Sequence, residues 1–301
     1  MVKALDRPSQ AIPGSHDLSS RWTRPFRHRG WIGILATLVL TICALVMIVP
    51  FLWMFSTSLR PTSESFTLPP AWLPTSWEWG NYRAVFDSSV PIWRLFYNSI
   101  KVTFSVTLGQ LITCSMAGFA FAQIRFPFRN ALFILLLASL MVPTQATVIP
   151  IFIIMRRLHL IDNHLSLILP SLVSAFGVFL MRQFYLTLPR DLIDAAKVDG
   201  ASMWTIYRQI ALPLSGPSLA ALAILTFTTS WNAYFYPLIF LNSWDKMTLP
   251  LGITALRGYL ESGNASIVMA AIALAIVPIL ALFLIAQRWF IAGITQTGLK
   301  G

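Results

Sequence analysis

Six long stretches without a charged side chain constrain the fold of this chain more than any other feature. They hold 30, 23, 26, 19, 36 and 26 residues and are bounded by Arg29 and Arg60, Lys101 and Arg125, Arg129 and Arg156, Asp162 and Arg182, Arg208 and Asp245, and Glu261 and Arg288. A helix that crosses a bilayer needs roughly 20 apolar residues. The stretches therefore predict an all-α membrane protein with six transmembrane helices.

The charge balance predicts how these helices are oriented. With the N-terminus in the cytoplasm, the inside segments hold 14 of the 22 Lys and Arg residues and five of the 11 Asp and Glu residues. Short loops that face the cytoplasm carry an excess of Lys and Arg. Both termini are therefore predicted to be cytoplasmic, and the net charge of +11 is explained by topology without a nucleic-acid partner.

The stretches also predict the helix bounds. Residues 1–30 read as a disordered, basic cytoplasmic tail, and residues 31–301 as one transmembrane domain. The predicted spans cover about residues 33–55, 96–123, 131–155, 165–185, 217–241 and 267–287. Small residues such as Gly109 and Gly118 predict that the second helix is central, because small side chains let helices approach closely in lipid. Pro143 and Pro150 predict a kink in the third.

One substantial polar stretch, residues 189–213, interrupts the apolar sequence between helices four and five; we call it the polar segment. Asp191 is expected to cap a first short helix, and Gly200 to end it. Ser202 is expected to cap a second helix over 203–211, which Pro213 closes. Two short helices with small alanine side chains indicate a docking element. A polar linker is the alternative.

The sequence offers little catalytic chemistry. The predicted spans contain no Asp or Glu, and their basic residues are Lys101 and Arg182, each close to a span end, whereas ion-coupled carriers usually keep ionisable groups in the membrane. The sequence holds neither a glycine-rich phosphate loop nor a Cys/His cluster of metal-binding type. Asp191, Asp194 and Asp199 lie among basic residues, so ion pairing and capping explain them better than metal binding or acid–base catalysis. We expect a protein that is not itself an enzyme and binds no metal.

A cluster of uncharged polar residues in the fifth helix suggests a path for a solute. Hydroxyl and amide groups that converge on a mostly apolar site suit a neutral, hydroxyl-rich molecule. Contacts between helices are the alternative role for each of these side chains. The candidates for the path are Thr229, Ser230, Asn232 and Tyr234, with Thr226, Thr228 and Tyr236 near them.

The polar segment resembles the EAA loop of ABC-importer permeases. The family pattern is Glu-Ala-Ala, three residues, Gly, nine residues, Ile, one residue and Leu-Pro. This chain matches it throughout with Asp194-Ala195-Ala196, Gly200, Ile210 and Leu212-Pro213. Asp194 stands where the family has Glu, which keeps the charge and shortens the side chain by one methylene.

The resemblance extends to the shorter permease subunit of maltose-type carbohydrate importers. It is carried by residues 231–238, Trp-Asn-Ala-Tyr-Phe-Tyr-Pro-Leu, and by the chain end from Gly293 to Gly301. It implies a multi-pass subunit of the bacterial inner membrane that moves a sugar or oligosaccharide. The implied partners are a second permease, two ATP-binding subunits that hold ATP and magnesium, and an extracytoplasmic solute-binding protein.

The resemblance also implies a role for the polar segment. It would be a coupling helix that contacts an ATP-binding subunit through Asp194, Ala195, Ala196, Lys197, Asp199, Gly200 and Ala201. Two alternatives stay open at this point: the same machinery could carry a polyol, a glycerophosphate or an oligopeptide, or the chain could be a stand-alone carrier or channel.

Overall fold

The computed structural model of the protein describes residues 30–64, 72–88, 90–259 and 264–297. Residues 1–29 of the predicted tail and residues 298–301 at the chain end lie outside this part. The chain divides into two compact units, residues 1–52 and 53–301, and the sites described below lie in the second.

The regular structure of the described residues is helical, which confirms the predicted all-α class. The helices are α1 (Gly30–Ser58), α2 (Gly80–Asp87), α3 (Ile92–Gln123), α4 (Arg129–Ala138), α5 (Thr144–Arg157), α6 (Leu165–Ile168), α7 (Ala175–Leu186), α8 (Arg190–Val198), α9 (Met203–Ile206), α10 (Leu212–Leu214), α11 (Gly216–Trp231), α12 (Phe235–Phe240), α13 (Leu249–Tyr259) and α14 (Ala265–Thr297). A π-helical turn, Tyr207–Ala211, separates α9 from α10. Helical turns of 3-10 type cover Thr62–Glu64, Ser139–Met141, Leu169–Ser171 and Trp244–Lys246.

The described part contains four stretches long and apolar enough to cross a bilayer, or up to six if two bent helix pairs each count as one. The four are Gly33–Ser58, Ile92–Gln123, Leu165–Leu186 and Ala265–Ile285. The bent pairs are Arg129–Met141 with Thr144–Arg157 and Met203–Leu214 with Gly216–Trp231. The multi-span membrane fold is therefore confirmed, and the count of six stays a prediction.

The third predicted helix is broken rather than kinked. Its two halves, on either side of Pro143, are bent by 103°. Proline has no N–H to donate and pushes the residue before it out of the helical region. Val142 is accordingly extended, with φ −81° and ψ 117°. Pro150 lies inside α5 without interrupting it.

The fifth and sixth predicted helices also differ in length. The fifth, predicted to reach residue 241, stops at Trp231, and the chain re-enters a helix at Phe235. Pro237 then falls in the first turn of α12, where a missing N–H costs nothing. The sixth, predicted to end at residue 287, runs to Thr297 in α14. The helices α2 and α13 were not predicted.

The close packing of α3 against α7 rests on glycine, as the sequence predicts. A Cβ added to Gly118 would lie 2.7 Å from the Met181 Cβ and 2.8 Å from the Arg182 backbone nitrogen. A Cβ added to Gly177, on the facing helix, would lie 2.8 Å from the Cys114 sulfur. Such distances leave no room for a larger residue, so these positions fix how closely the two helices approach.

One carboxylate holds the segment between α12 and α13 in place. Asp162, at φ +57° in the turn between α5 and α6, accepts hydrogen bonds from the backbone amides of Asn242 and Ser243, both at 2.9 Å, and from the Lys246 ammonium at 3.0 Å. Burial raises the pKa of this carboxyl, but the Ser243 hydroxyl, these two amides and Lys246 lower it by more, so the pKa lies well below its usual range. Asp162 therefore stays ionised and ties the two turns together.

Candidate functional sites: the polar segment and a polar cavity

The first helix of the polar segment begins two residues earlier than its predicted cap requires. Pro189 is the extended residue before α8, with φ −57° and ψ 128°, and makes no side-chain cap hydrogen bond. Asp191 is already inside the first helical turn, so the prediction that it caps the helix was wrong. Its negative charge still favours this end of the helix, because helix N-termini carry partial positive charge.

Gly200 ends α8 as predicted. It has φ +79°, a left-handed conformation that glycine adopts at little cost. Its N–H donates to the Lys197 carbonyl at 3.0 Å, and the Ala201 N–H donates to the Ala196 carbonyl at 2.9 Å. This pair of bonds is the Schellman motif, which satisfies carbonyl groups at a helix end.

The second helix begins as predicted and ends later. The Thr205 N–H donates to the Ser202 hydroxyl at 3.1 Å, which confirms Ser202 as the cap. The helical chain then passes Pro213 and continues to Leu214, so the prediction that Pro213 closes it was wrong. The π-helical turn Tyr207–Ala211 lies immediately before this proline. A wider turn there accommodates a residue that cannot donate to the preceding turn.

The polar segment has one buried and one exposed face. Ile193 and Ala196 are buried in a core that includes Phe119 of α3 and Val178 and Met181 of α7. The predicted coupling residues Asp194, Ala195, Lys197, Asp199 and Gly200 are exposed, and Ala201 is half-buried. Ala196 therefore anchors the helix within its own chain, while Ala195 next to it faces outward. Lys197 and Asp194 form an exposed ion pair at 3.3 Å.

Apolar side chains also lie on the exposed face, and they were not among the predicted site residues. Val198 is 87% exposed, Trp204 57% and Leu192 46%. Several large apolar side chains exposed on one short segment are typical of interaction surfaces. Their apolar character within an otherwise polar stretch was the sequence signal that could have identified them.

A polar cavity of about 600 Å³ lies between α3, α5, α7, α11 and α12. Hydroxyl and amide groups share its wall with aromatic and aliphatic side chains. The polar lining residues are Ser99, Thr103, Gln110, Thr144, Gln145, Ser171, Ser174, Thr226, Thr229, Ser230, Tyr234, Tyr236 and Thr248. The aromatic rings of Phe176 and Phe235 add to the tyrosines.

Some of these polar groups are occupied by contacts within the wall. Thr226 donates to the Gln110 side-chain oxygen at 2.9 Å, and the Gln110 amide donates to the Ser171 carbonyl at 2.8 Å. Ser230 donates to the Thr103 hydroxyl at 3.5 Å. In the part of the chain that the structure describes, the Thr229 and Tyr234 hydroxyls make no hydrogen bond, so both remain available to a solute.

The structure brings together three of the four residues predicted for the solute path. Thr229, Ser230 and Tyr234 line the cavity. Asn232 is absent from the lining; its amide donates to the Thr228 carbonyl at 2.9 Å, and the side chain is exposed. The wall formed by α3 was missed, although Ser99, Thr103 and Gln110 recur at helical spacing and could have indicated a polar face.

Known proteins are similar in sequence over most of this chain. Residues 114–296 match the family described as binding-protein-dependent transport system inner membrane component. The arabinooligosaccharides transport system permease protein AraQ of Halalkalibacterium halodurans is 37% identical over 270 residues, which are 89% of this chain and 96% of that protein. The sn-glycerol-3-phosphate transport system permease protein UgpE of Escherichia coli is 32% identical over 279 residues, 90% and 98% of the two chains.

A solved structure shows the same fold at lower sequence identity. A chain from a bacterial ABC transporter involved in the import of the acidic polysaccharide alginate superimposes with a TM-score of 0.77 and is 24% identical. The match covers 88% of this chain and 99% of that one.

Proposed function

The chain belongs to the binding-protein-dependent transport system inner membrane components and is a transmembrane subunit of an ABC importer, and we propose that the solute it translocates is a neutral sugar or oligosaccharide. The cavity wall is the observation that carries this proposal. Its hydroxyl and amide groups suit the hydroxyls of a sugar, and its aromatic rings offer apolar surface to the sugar's C–H faces. The similarity to AraQ agrees with a solute of this class.

A glycerophosphate is the second candidate. UgpE, named for sn-glycerol 3-phosphate, is similar over 90% of this chain. The first residues of α5, Thr144 and Gln145, line the cavity, and the start of a helix favours a phosphate group. A phosphate would bring a double negative charge into a wall made of uncharged groups, which is why we place this candidate second.

The exposed face of the polar segment supports a docking role. We propose that this face contacts an ATP-binding partner subunit, and that ATP and magnesium bind to that subunit and not to this chain. Ala195 and Gly200 allow close approach, Val198 and Trp204 provide apolar anchors, and the exposed Asp194 and Lys197 orient the contact. A second permease chain and an extracytoplasmic solute-binding protein complete the assembly that we propose.

Reconstitution tests the proposal. The protein is assembled with its partner subunits in liposomes, and uptake of labelled solute and ATP hydrolysis are measured with the binding protein loaded with each candidate. We expect ATP-dependent uptake with a sugar and no response to glycerol 3-phosphate. A response to glycerol 3-phosphate alone would select the second candidate, and uptake without ATP or partners would contradict the subunit role.

A further inference from the structure

A chain of four buried hydroxyl groups connects both ends of the polar segment to α3. Tyr207 donates to Ser115 at 3.1 Å, and the Ser115 and Tyr185 hydroxyls lie 2.7 Å apart. Tyr185 donates to Ser215 at 3.4 Å, and Ser215 donates to the Leu212 carbonyl at 2.7 Å. If Ser115 donates to Tyr185, each hydroxyl proton is used once, so the hydrogen bonds run in one direction from Tyr207 to the backbone.

The positions of these residues in the sequence show which parts of the protein the chain of hydroxyl groups connects. Tyr185 lies in α7, shortly before the polar segment begins, and Ser215 lies just after it ends. Tyr207 follows α9 within the segment. Ser115 is the member that comes from elsewhere, on α3. One serine on α3 therefore bonds to the tyrosines on both sides of α8.

The rings of the two tyrosines are held independently of their hydroxyls. The Phe119 ring lies 5.6 Å from the Tyr185 ring and 5.3 Å from the Tyr207 ring. Ser115, Tyr185 and Ser215 are fully buried, and Tyr207 is 6% exposed. Packing thus places the rings, while the hydrogen bonds fix their direction in an environment where an unmet polar group is costly.

Tyr207 also marks a change in helix type. It is the first residue of the π-helical turn that joins α9 to α10. Short π-helical stretches inside helices are frequent at functional sites. The Tyr207 hydroxyl therefore attaches this irregular turn to α3.

We propose that this hydroxyl chain makes the polar segment and α3 move as one body, so that movement at the ATP-binding partner reaches the cavity wall. The proposal rests on the docking role proposed above. Gln110 of the cavity wall lies on α3 five residues from Ser115, about 8 Å along the helix axis. Ser115, Tyr185 and Tyr207 are positioning residues: they touch neither solute nor nucleotide, and they transmit displacement.

Removal of single hydroxyls tests the proposal in the reconstituted importer. Tyr207→Phe deletes the bond to Ser115 and keeps the ring packing, whereas Ser115→Ala deletes this bond and the one to Tyr185. Both rates are normalised to the amount of assembled complex, and the quantity to compare is the solute imported per ATP hydrolysed. We expect this ratio to fall about fivefold in Tyr207→Phe, since a net hydrogen bond contributes about 1 kcal/mol, and by at least as much in Ser115→Ala. The double variant should show no further loss beyond that of Ser115→Ala.

Tyr82→Phe provides a matched control. The Tyr82 hydroxyl also bonds to a serine, Ser58, at 2.8 Å, but far along the sequence from the polar segment. We expect its import-to-hydrolysis ratio to equal that of the unmodified importer.

Three results would overturn the proposal. The first is an unchanged ratio in Tyr207→Phe and Ser115→Ala, and the second is a fall of import and ATP hydrolysis by the same factor. The third is a smaller amount of assembled complex whose ratio is normal. Each would assign these hydroxyls a purely structural role. Failure of the docking role itself would appear differently, as an unmodified complex whose ATP hydrolysis does not drive import.

Discussion

The hydroxyl chain and the cavity wall are built from the same residue types and use them differently. In the chain, Ser115, Tyr185, Tyr207 and Ser215 are buried and bonded to one another. In the cavity, Thr229 and Tyr234 line open space and make no hydrogen bond in the described part of the protein. A hydroxyl that is hydrogen-bonded to another protein group stabilises the structure, whereas an unbonded hydroxyl can bind a solute.

Because the hydroxyls are bonded in one region and unbonded in the other, substitutions in the two regions should have different effects. A fully bonded polar network holds helices in one arrangement, and loss of one member leaves a partner unmet. An unbonded hydroxyl at a cavity can be removed without cost to the fold, and its loss is felt when the solute binds. Substitutions in the two regions should therefore separate coupling and stability from solute affinity.

The largest effect is expected at Gly200, which lies on the proposed docking face and does not line the cavity. Gly200→Leu should lower ATP-driven import at least tenfold. A residue other than glycine in a left-handed conformation costs about 1–2 kcal/mol, and the Leu side chain would project from the docking surface. A Cβ at this position meets nothing within 4 Å, so the backbone site has space for a side chain.

Two further variants at Gly200 separate strain from bulk. Gly200→Asn should retain most of the import rate, because Asn tolerates the left-handed region, and Gly200→Ala should fall between the two. Binding of the ATP-binding subunit to each variant in detergent provides the second measurement. Import by Gly200→Leu at the normal rate would remove the case for docking through this face.

Local features of the polar segment could be predicted from sequence, and contacts between distant residues could not. Gly200 and Ser202 act on backbone groups within a few residues, so their roles follow from short-range rules. Asp191 was misplaced because Pro189 already supplies the extended residue that precedes α8.

Whether a hydroxyl is bonded depends on tertiary structure. Thr226 finds its partner in Gln110, 116 residues away, and Tyr207 finds Ser115, 92 residues away. No local pattern distinguishes these side chains from Thr229. For the same reason the sequence identified a polar cluster in the fifth helix and missed the wall that α3 contributes.

Two threonines of the cavity wall test the distinction between bonded and unbonded hydroxyls, and the expected change in KM is several-fold. Thr229→Val should raise the KM for import about fivefold, the factor for one lost hydrogen bond to the solute, and leave thermal stability unchanged. Thr226→Val removes the bond to Gln110 and should lower the free energy of unfolding by about 1 kcal/mol.

Both variants change one hydroxyl to a methyl at nearly constant volume, so each serves as the control for the other. Uptake against solute concentration gives KM, and thermal unfolding in detergent gives stability. If Thr229→Val unfolds more easily and keeps its KM, the hydroxyl serves contacts between helices, and the distinction between bonded and unbonded groups fails for this cavity.

The smallest effect is expected at Asp162, whose carboxylate is bonded like the hydroxyl chain but lies outside the predicted spans. Asp162→Asn keeps an oxygen that accepts from the amides of Asn242 and Ser243, and it tolerates φ +57°. It removes the charge and the second oxygen, which accepts from the Lys246 ammonium and the Ser243 hydroxyl. We expect a loss of about 1 kcal/mol in the free energy of unfolding at pH 7 and an unchanged import rate.

The pH dependence of that difference identifies its cause. Because folding lowers the pKa of Asp162, its contribution is complete above the ordinary carboxyl pKa near 4 and is lost as the pH falls from there towards the lower pKa of the folded state. Thermal unfolding of the two proteins should therefore differ at pH 7, and the difference should shrink progressively as the pH falls below about 4. A difference that persists unchanged in acid would show that the amide geometry, and not the charge, holds this segment.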